Sequence, residues 1–377
     1  MTGTWRPKTL QNLDSLIQAA RSEQEKRVLL IKKACALVRF SFIEEATVIL
    51  KDVRSKASAY DPRLSAWTMF CEGLMEHFGT LADKACRDFK RAYAVSVAAG
   101  DLELAAIASA WVAHAEFCAG NLAAVPGPLV QAFTLDRNNG AARARACLVV
   151  ADMYNCAGEP GSARPWYKRA REAAVNDGDI SMQSVVMYND TAFRVSNVVF
   201  DDCRGGADGH AVMLASTAVD SIGNLDLGLG RRHLTSMIPL LRAEVRSVQR
   251  RWDEAIGLFD AYLCDRSVEA QRRLMPKFEV QRAYCLAMTG DLELAVRQAR
   301  DAVNQAEVCT EFDDLFVLHS RAATVFECSS LHEESQVHRE SAVRCLGALA
   351  AYQTELKASV DPMAARIMEL EEAKSPA

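Results

Sequence analysis

Hydrophobic positions in this chain recur three and four residues apart, the spacing of one helix face, over stretches of roughly twelve to twenty residues. Short breaks end these stretches at FSF (Phe40–Phe42), FGT (Phe78–Thr80), AGN (Ala119–Asn121), AGEP (Ala157–Pro160), RRW (Arg250–Trp252) and TGD (Thr289–Asp291). Strand-like alternation is almost absent, and Ala, Leu, Glu, Arg, Gln and Met dominate. The pattern predicts an all-α chain of antiparallel helical hairpins.

The breaks are nearly evenly spaced, which points to a repeat. Its clearest copy is VADMYNCAGEPGSARPWYKRA, from Val150, with Ala151, Tyr154, Gly158, Ala163, Tyr167 and Ala170 as its framework. Small residues at a helix crossing let two axes approach, glycine ends the first helix in a left-handed backbone, and an aromatic ring fills the groove. The Ala-x3-large-x2-small triplet returns as Ala85, Phe89, Ala92 and as Ala255, Phe259, Tyr262. Weaker copies are Ala46, Leu50, Val53; Val125, Leu129, Ala132; Ala211, Ala215, Ala218; and Ala295, Ala299, Ala302. The first members, at 46, 85, 125, 163, 211, 255 and 295, are separated by 39, 40, 38, 48, 44 and 40 residues.

This framework resembles the tetratricopeptide repeat, in an extended variant with a period nearer 40 than the standard repeat's roughly 34. The resemblance spans Arg27 to Cys345 and implies a right-handed α-solenoid of about eight hairpins. It implies a non-enzymatic scaffold that binds a protein or peptide segment on a concave face lined by first helices. The alternative is a regulator that changes shape on binding a ligand or signalling peptide. Similar arrays serve as sensors in transcription activators and diguanylate cyclases, but this chain has no convincing helix-turn-helix, and GGADGH (Gly205–His210) matches the cyclase signature only superficially. The expected organisation is an N-terminal capping helix within 1–25, the repeats over 26–345 with an insertion near 200–209, and a C-terminal cap and tail over 346–377. An eighth hairpin, from about Asp313 to Leu346, lacks the triplet. The helix from Ser341 is expected to break at Asp361-Pro362, and MAARIMELEEAK after it either packs back or forms a homodimer.

Function is sought where regularity fails. The longest step, 163 to 211, holds the helix SMQSVVMYNDTAFRVSNVVF (Ser181–Phe200) and then DDCRGGADGH, a turn enlarged by about eight residues. Such an insertion is either part of a binding surface or a tolerated loop. In the helix before it, Asn189, Phe193 and Asn197 are four apart, with Tyr188 and Arg194 beside them. Asparagine donates and accepts at once, which suits an extended peptide backbone; the alternative is a polar, solvent-facing helix side. Arg143, Arg282 and Tyr284, from neighbouring first helices, complete this candidate partner-binding set. Arg231 and Arg232, after Gly228 and Gly230, are a candidate anion site or ion-pairing residues, with a kink expected at Pro239.

A net charge of −5 argues against general nucleic-acid binding. The twelve cysteines are scattered without a C-x-x-C and read as reduced core residues. No apolar run approaches the roughly 18 residues of a membrane span, and MTGTWRPKTL lacks a signal peptide's apolar segment, so a cytoplasmic chain is expected. Cys328, His332 and His338 are poorly spaced for zinc, and no phosphate loop, nucleophile elbow or HExxH occurs. Neither metal nor cofactor is expected.

The hexapeptide GDLELA occurs twice, at Gly100–Ala105 and Gly290–Ala295, but out of phase with the repeat. It reads as a shared way to begin a helix, with Asp101 or Asp291 as the cap.

Overall fold

The computed structural model describes residues 7–56, 61–78, 82–136, 138–228, 237–263, 272–309 and 311–372. Every regular element among them is helical. The helices are α1 (Lys8–Ala19), α2 (Glu23–Arg39), α3 (Ile43–Ser55), α4 (Pro62–His77), α5 (Ala82–Ala98), α6 (Leu102–Cys118), α7 (Pro126–Thr134), α8 (Gly140–Cys156) and α9 (Pro160–Asn176). They continue as α10 (Ile180–Cys203), α11 (Gly209–Gly228), α12 (Met237–Val248), α13 (Trp252–Tyr262), α14 (Met275–Thr289), α15 (Leu292–Asn304), α16 (Phe312–Cys328) and α17 (His332–Glu372). From α2 onward they pair as eight successive hairpins, the architecture of an all-α solenoid.

The triplets fall on the second helices, where the crossing needs small residues. Ala46, Ala85, Ala255 and Ala295 are sealed from solvent, and Phe89, Leu129 and Phe259 fill the grooves beside them. The eighth hairpin has Ser335 at the corresponding place, three residues into α17. Its hydroxyl donates to Ala323 O at 2.9 Å, which satisfies the one polar group that serine adds over alanine.

One triplet shifts. In α11 the expected Ala211 and Ala218 are only half-buried, whereas Val212, Ala215, Val219 and Ile222 are buried. The spacing is carried by Ala215, Val219 and Ile222, so the step from Ala163 is 52 residues (215 − 163). The cause is α10, which has 24 residues against 17 in α8. Seven extra residues are two helical turns, about 10 Å. The expected enlarged turn is therefore mostly added helix, followed by only Arg204–Asp208.

The chain forms two compact units, residues 1–186 with 354–377 and residues 187–353. Both boundaries fall inside helices, α10 and α17.

In the first unit, Leu10 of α1 joins a core with Ile31, Leu37, Phe70, Leu74, Phe89 and Trp111. Gly73 lets α4 approach that core, since a Cβ there would lie 2.7 Å from the Phe89 ring. Helices α1 and α2 reach the start of α10: Thr9 donates to Gly178 O at 3.3 Å, Ser181 donates to Arg39 O at 3.1 Å, and Arg39 pairs with Asp179. The end of α17 packs in the same unit through Leu356, Val360, Met363 and Ile367, all buried. The helix does not break at Pro362 as expected. Packing on both sides of the proline, with Tyr154 Oη donating to Asp361 at 3.0 Å, offsets the lost backbone bond. The stripe read as either a cap or a dimer face is buried here.

The second unit has one core around Leu240, Ala243, Phe259, Phe278 and Phe326 and another around Val195, Val198, Ile222, Leu241 and Phe316. Pro239 is the third described residue of α12, and residues 229–236 before that helix lie outside the described ones.

Both GDLELA copies start helices. Asp101 accepts from Leu104 N at 3.1 Å and Asp291 from Leu294 N at 3.3 Å, each after a glycine with positive φ.

Candidate functional site

The site is built from the ends of the first helices in the second unit, beside the lengthened α10. Asp202 continues the buried stripe of Thr191, Val195 and Val198 along that helix. The two added turns carry it to the C-terminal end of α12. The turn that follows uses Gly205 at φ 120° and Gly206 at φ 148°, backbone that side-chain-bearing residues rarely adopt. Asp208 then caps α11 by accepting from Ala211 N at 2.9 Å.

Between this turn and the end of α12 lies a cleft of about 500 Å³. Asp202, Gln249 and Arg250 give it charge and polarity, Ser216 and Thr217 add hydroxyls, and Val212, Met213 and Val248 form an apolar side. Asp202 is 3% exposed at its side chain. It accepts from Arg250 at 2.8 and 3.3 Å and from Arg321 Nη2 at 2.6 Å. Arg250 also donates to Tyr284 Oη at 2.8 Å, while Arg321 lies 3.9 Å over the Tyr284 ring and donates to Gln281 Oε1 at 2.9 Å. One carboxylate thus joins α10, α12 and α16, with α14 supplying Tyr284 and Gln281.

Arg250 is unusual in its backbone as well. Helices α6, α8 and α14 end on a left-handed glycine, Gly120, Gly158 and Gly290, and α2 and α16 end on Ser41 and Ser330. At the end of α12 the same position is Arg250, at φ 63°. A long side chain in that conformation costs on the order of 1 kcal/mol, and the contacts to Asp202 and Tyr284 offset it.

A second buried network lies along the same helices. Lys277 is 3.3 Å from Glu244 and 3.1 Å from Asp314. Burial alone pulls the Lys277 ammonium down, but Asp314 and Glu244 outweigh it and hold it charged. Burial pushes Glu244 up despite Lys277, and burial followed by the Asp314 charge brings Asp313 up to about 7. Further along, His319 and His338 stack, with their Nδ1 atoms 3.1 Å apart. Burial and then the His338 charge push His319 down to about 4, and burial also lowers His338.

The residues singled out from sequence separate. Asn197 is exposed and Asn189 half-buried on the side of α10 away from the Asp202 stripe, and Arg194 pairs with Asp190 at 3.0 Å. Tyr188 packs against both cores, where burial pushes its hydroxyl up to about 12. Tyr284 is buried in the Asp202 network. Arg282 donates to Asp260 at 2.6 Å and to Gln298. Arg143 belongs to the first unit, where it holds Glu371 of α17 and lies 5.5 Å from the Phe133 ring. Arg231 and Arg232 lie outside the described residues. Asp202, Arg250, Gln281 and Arg321 were missed. A signal did exist for Arg250, an arginine at the hairpin turn where other units have glycine or serine.

No group of three or more metal-ligating side chains occurs among the described residues. None of the eleven described cysteines forms a disulfide, and no described helix is long and apolar enough to cross a membrane.

No protein-family model matches the chain, and no curated protein does. Among solved structures, a Rap protein complexed with competence and sporulation factor is similar over 91% of this chain and 98% of its own, at 13% identity and a TM-score of 0.57. Human IFIT1, solved as a dimer with m7Gppp-AAAA, aligns over 98% of this chain and 86% of its own, at 13% identity and a TM-score of 0.47. The first likeness is one of fold, the helical-repeat solenoid, and the second is too distant to add to it.

Proposed function

We propose that the chain is a non-enzymatic binding scaffold that receives a protein or peptide segment in its second unit, in the cleft lined by α11 and the ends of α10 and α12. The segment enters the cleft at the α10–α11 turn, and an extension of the contact along α10 to Asn189, Arg194 and Asn197 takes it onto the side of the helix away from Asp202. The supporting observation is Arg250, a strained arginine that lines the cleft and holds the buried Asp202. Backbone strain retained beside an open cleft marks a side chain needed where it stands. The cleft's mixture of one apolar side, hydroxyls and paired charges fits a short amphipathic segment. The fold neighbour solved with a bound factor is consistent with this use of the architecture.

A peptide selected on the full chain from a displayed random library provides the test. Arg250→Gly suits the left-handed backbone and leaves Asp202 its pair with Arg321, so the variant keeps its fold. Affinity is expected to fall at least tenfold, and unchanged affinity would sink the cleft assignment. Asn189→Ala with Asn197→Ala tests the extension along α10 in the same way.

One observation favours a regulatory version of this reading. Asp202 both faces the cleft and links three helices, so a ligand that draws Arg250 away loosens their connection. A change in radius of gyration on adding the selected peptide, measured by solution scattering, supports the regulator; none favours a passive adaptor.

A further inference from the structure

The first unit holds a buried cation with no direct ion-pair partner among the described residues. Arg145, on α8, is 6% exposed, yet among the described residues its guanidinium donates no hydrogen bond and forms no ion pair. Its one close partner is the face of Trp111 on α6, 4.0 Å from the guanidinium carbon. Around that indole stand His77, His114, Phe70 and Phe89, which carry no fixed negative charge.

The charged and ionisable groups near enough to act on Arg145 are Arg39, Asp152, Asp179 and Cys118. Neither carboxylate pairs with Arg145 directly, although both favour its charged form from a distance. Asp152 accepts from Tyr167 Oη at 2.7 Å, and Asp179 pairs with Arg39 and caps α10 by accepting from Met182 N at 2.9 Å. Nε of Arg145 is sealed and unpartnered, whereas its two Nη atoms are not among the sealed ones. The fork that grips a carboxylate or phosphate is therefore without a direct partner among the described residues and is backed by an aromatic face.

From this geometry we infer that Arg145 is the anchor of an oxyanion site in the first unit, taking the carboxylate or phosphate group of a small ligand or segment end-on at its Nη pair. Trp111 lies against the guanidinium, and Arg39 balances the charge of Asp179. A buried cation with no direct hydrogen-bonding partner costs stability, which the incoming anion restores.

The full chain is titrated with sodium phosphate and, separately, with sodium glutarate, each against sodium chloride at matched ionic strength, while tryptophan fluorescence and Tm are followed. Expected are a saturable fluorescence change and a rise in Tm with at least one oxyanion, both absent in Arg145→Met. Without added anion, Arg145→Met melts at or above the temperature of the unsubstituted chain. Arg145→Lys keeps the charge but not the fork, so its dissociation constant rises about tenfold. Whichever oxyanion saturates first identifies the group. The site is overturned if neither oxyanion exceeds chloride, or if Arg145→Met and Arg145→Lys respond as the unsubstituted chain does.

Discussion

Arg250 and the glycines that stand in its place elsewhere show how one backbone position acquires a role. A left-handed turn after a first helix asks only for a residue that tolerates positive φ, and glycine or serine meets that need in most hairpins here. Arginine adds a side chain that reaches Asp202 and Tyr284. Asp202→Asn removes the carboxylate that faces two guanidiniums, one of them nearly sealed, and is expected to destabilise the protein by about 3–5 kcal/mol. Urea unfolding checks this as a lower midpoint at unchanged slope. The His319–His338 pair gives a second prediction. Both histidines are lowered from the ordinary 6.5, so the unfolded chain binds more protons than the folded one between that value and about 4. Stability from the pair is complete above about pH 6.5 and is lost as pH falls toward 4. His338→Phe should flatten that part of a stability-against-pH curve, and an unchanged slope counts against it. Sequence reasoning selected Asn189 and Asn197 by their spacing, but spacing along one helix cannot reveal which acid in α10 meets arginines 48 and 119 residues away.

Helix ends and crossings were largely legible, because they depend on local chemistry. Caps at Asp101 and Asp291 and the buried alanines of the second helices follow from residue type and spacing alone. Where packing overrode local preference, reading failed. Pro362 should end a helix, yet α17 runs through it because Val360, Met363 and Ile367 are anchored on either side. Ile367→Ala is accordingly expected to cost about 2–5 kcal/mol, measured by chemical denaturation. Gly73→Ala tests the opposite failure, overfilling. Its added Cβ meets the Phe89 ring at 2.7 Å, so a loss of about 1–3 kcal/mol is expected in the same assay. The lengthening of α10 was visible as a stretched repeat step. It was assigned to a turn because DDCR continues a helix only with buried partners for Asp202.

For the whole molecule, the division into two units gives each substitution an address. Limited proteolysis followed by mass spectrometry should open new cleavage sites within 187–353 for Asp202→Asn and within 1–186 or 354–377 for Ile367→Ala. The same new sites for both variants would mean that the chain unfolds as one block. Hydrophobic periodicity, turn residues and an alanine-aromatic spacing were enough to determine an all-helical chain of eight hairpins, since each hairpin is specified by residues within about 40 positions of one another. Tertiary structure alone decided the unit boundaries inside α10 and α17 and the return of residues 354–372 to the first unit. It also decided the pairing of Asp202 with Arg250 and Arg321 and the placement of Arg145 against Trp111 with no hydrogen bond or ion pair among the described residues. Those outcomes depend on which charged groups meet, or fail to meet, once distant helices are stacked, and a one-dimensional pattern carries no term for that distance.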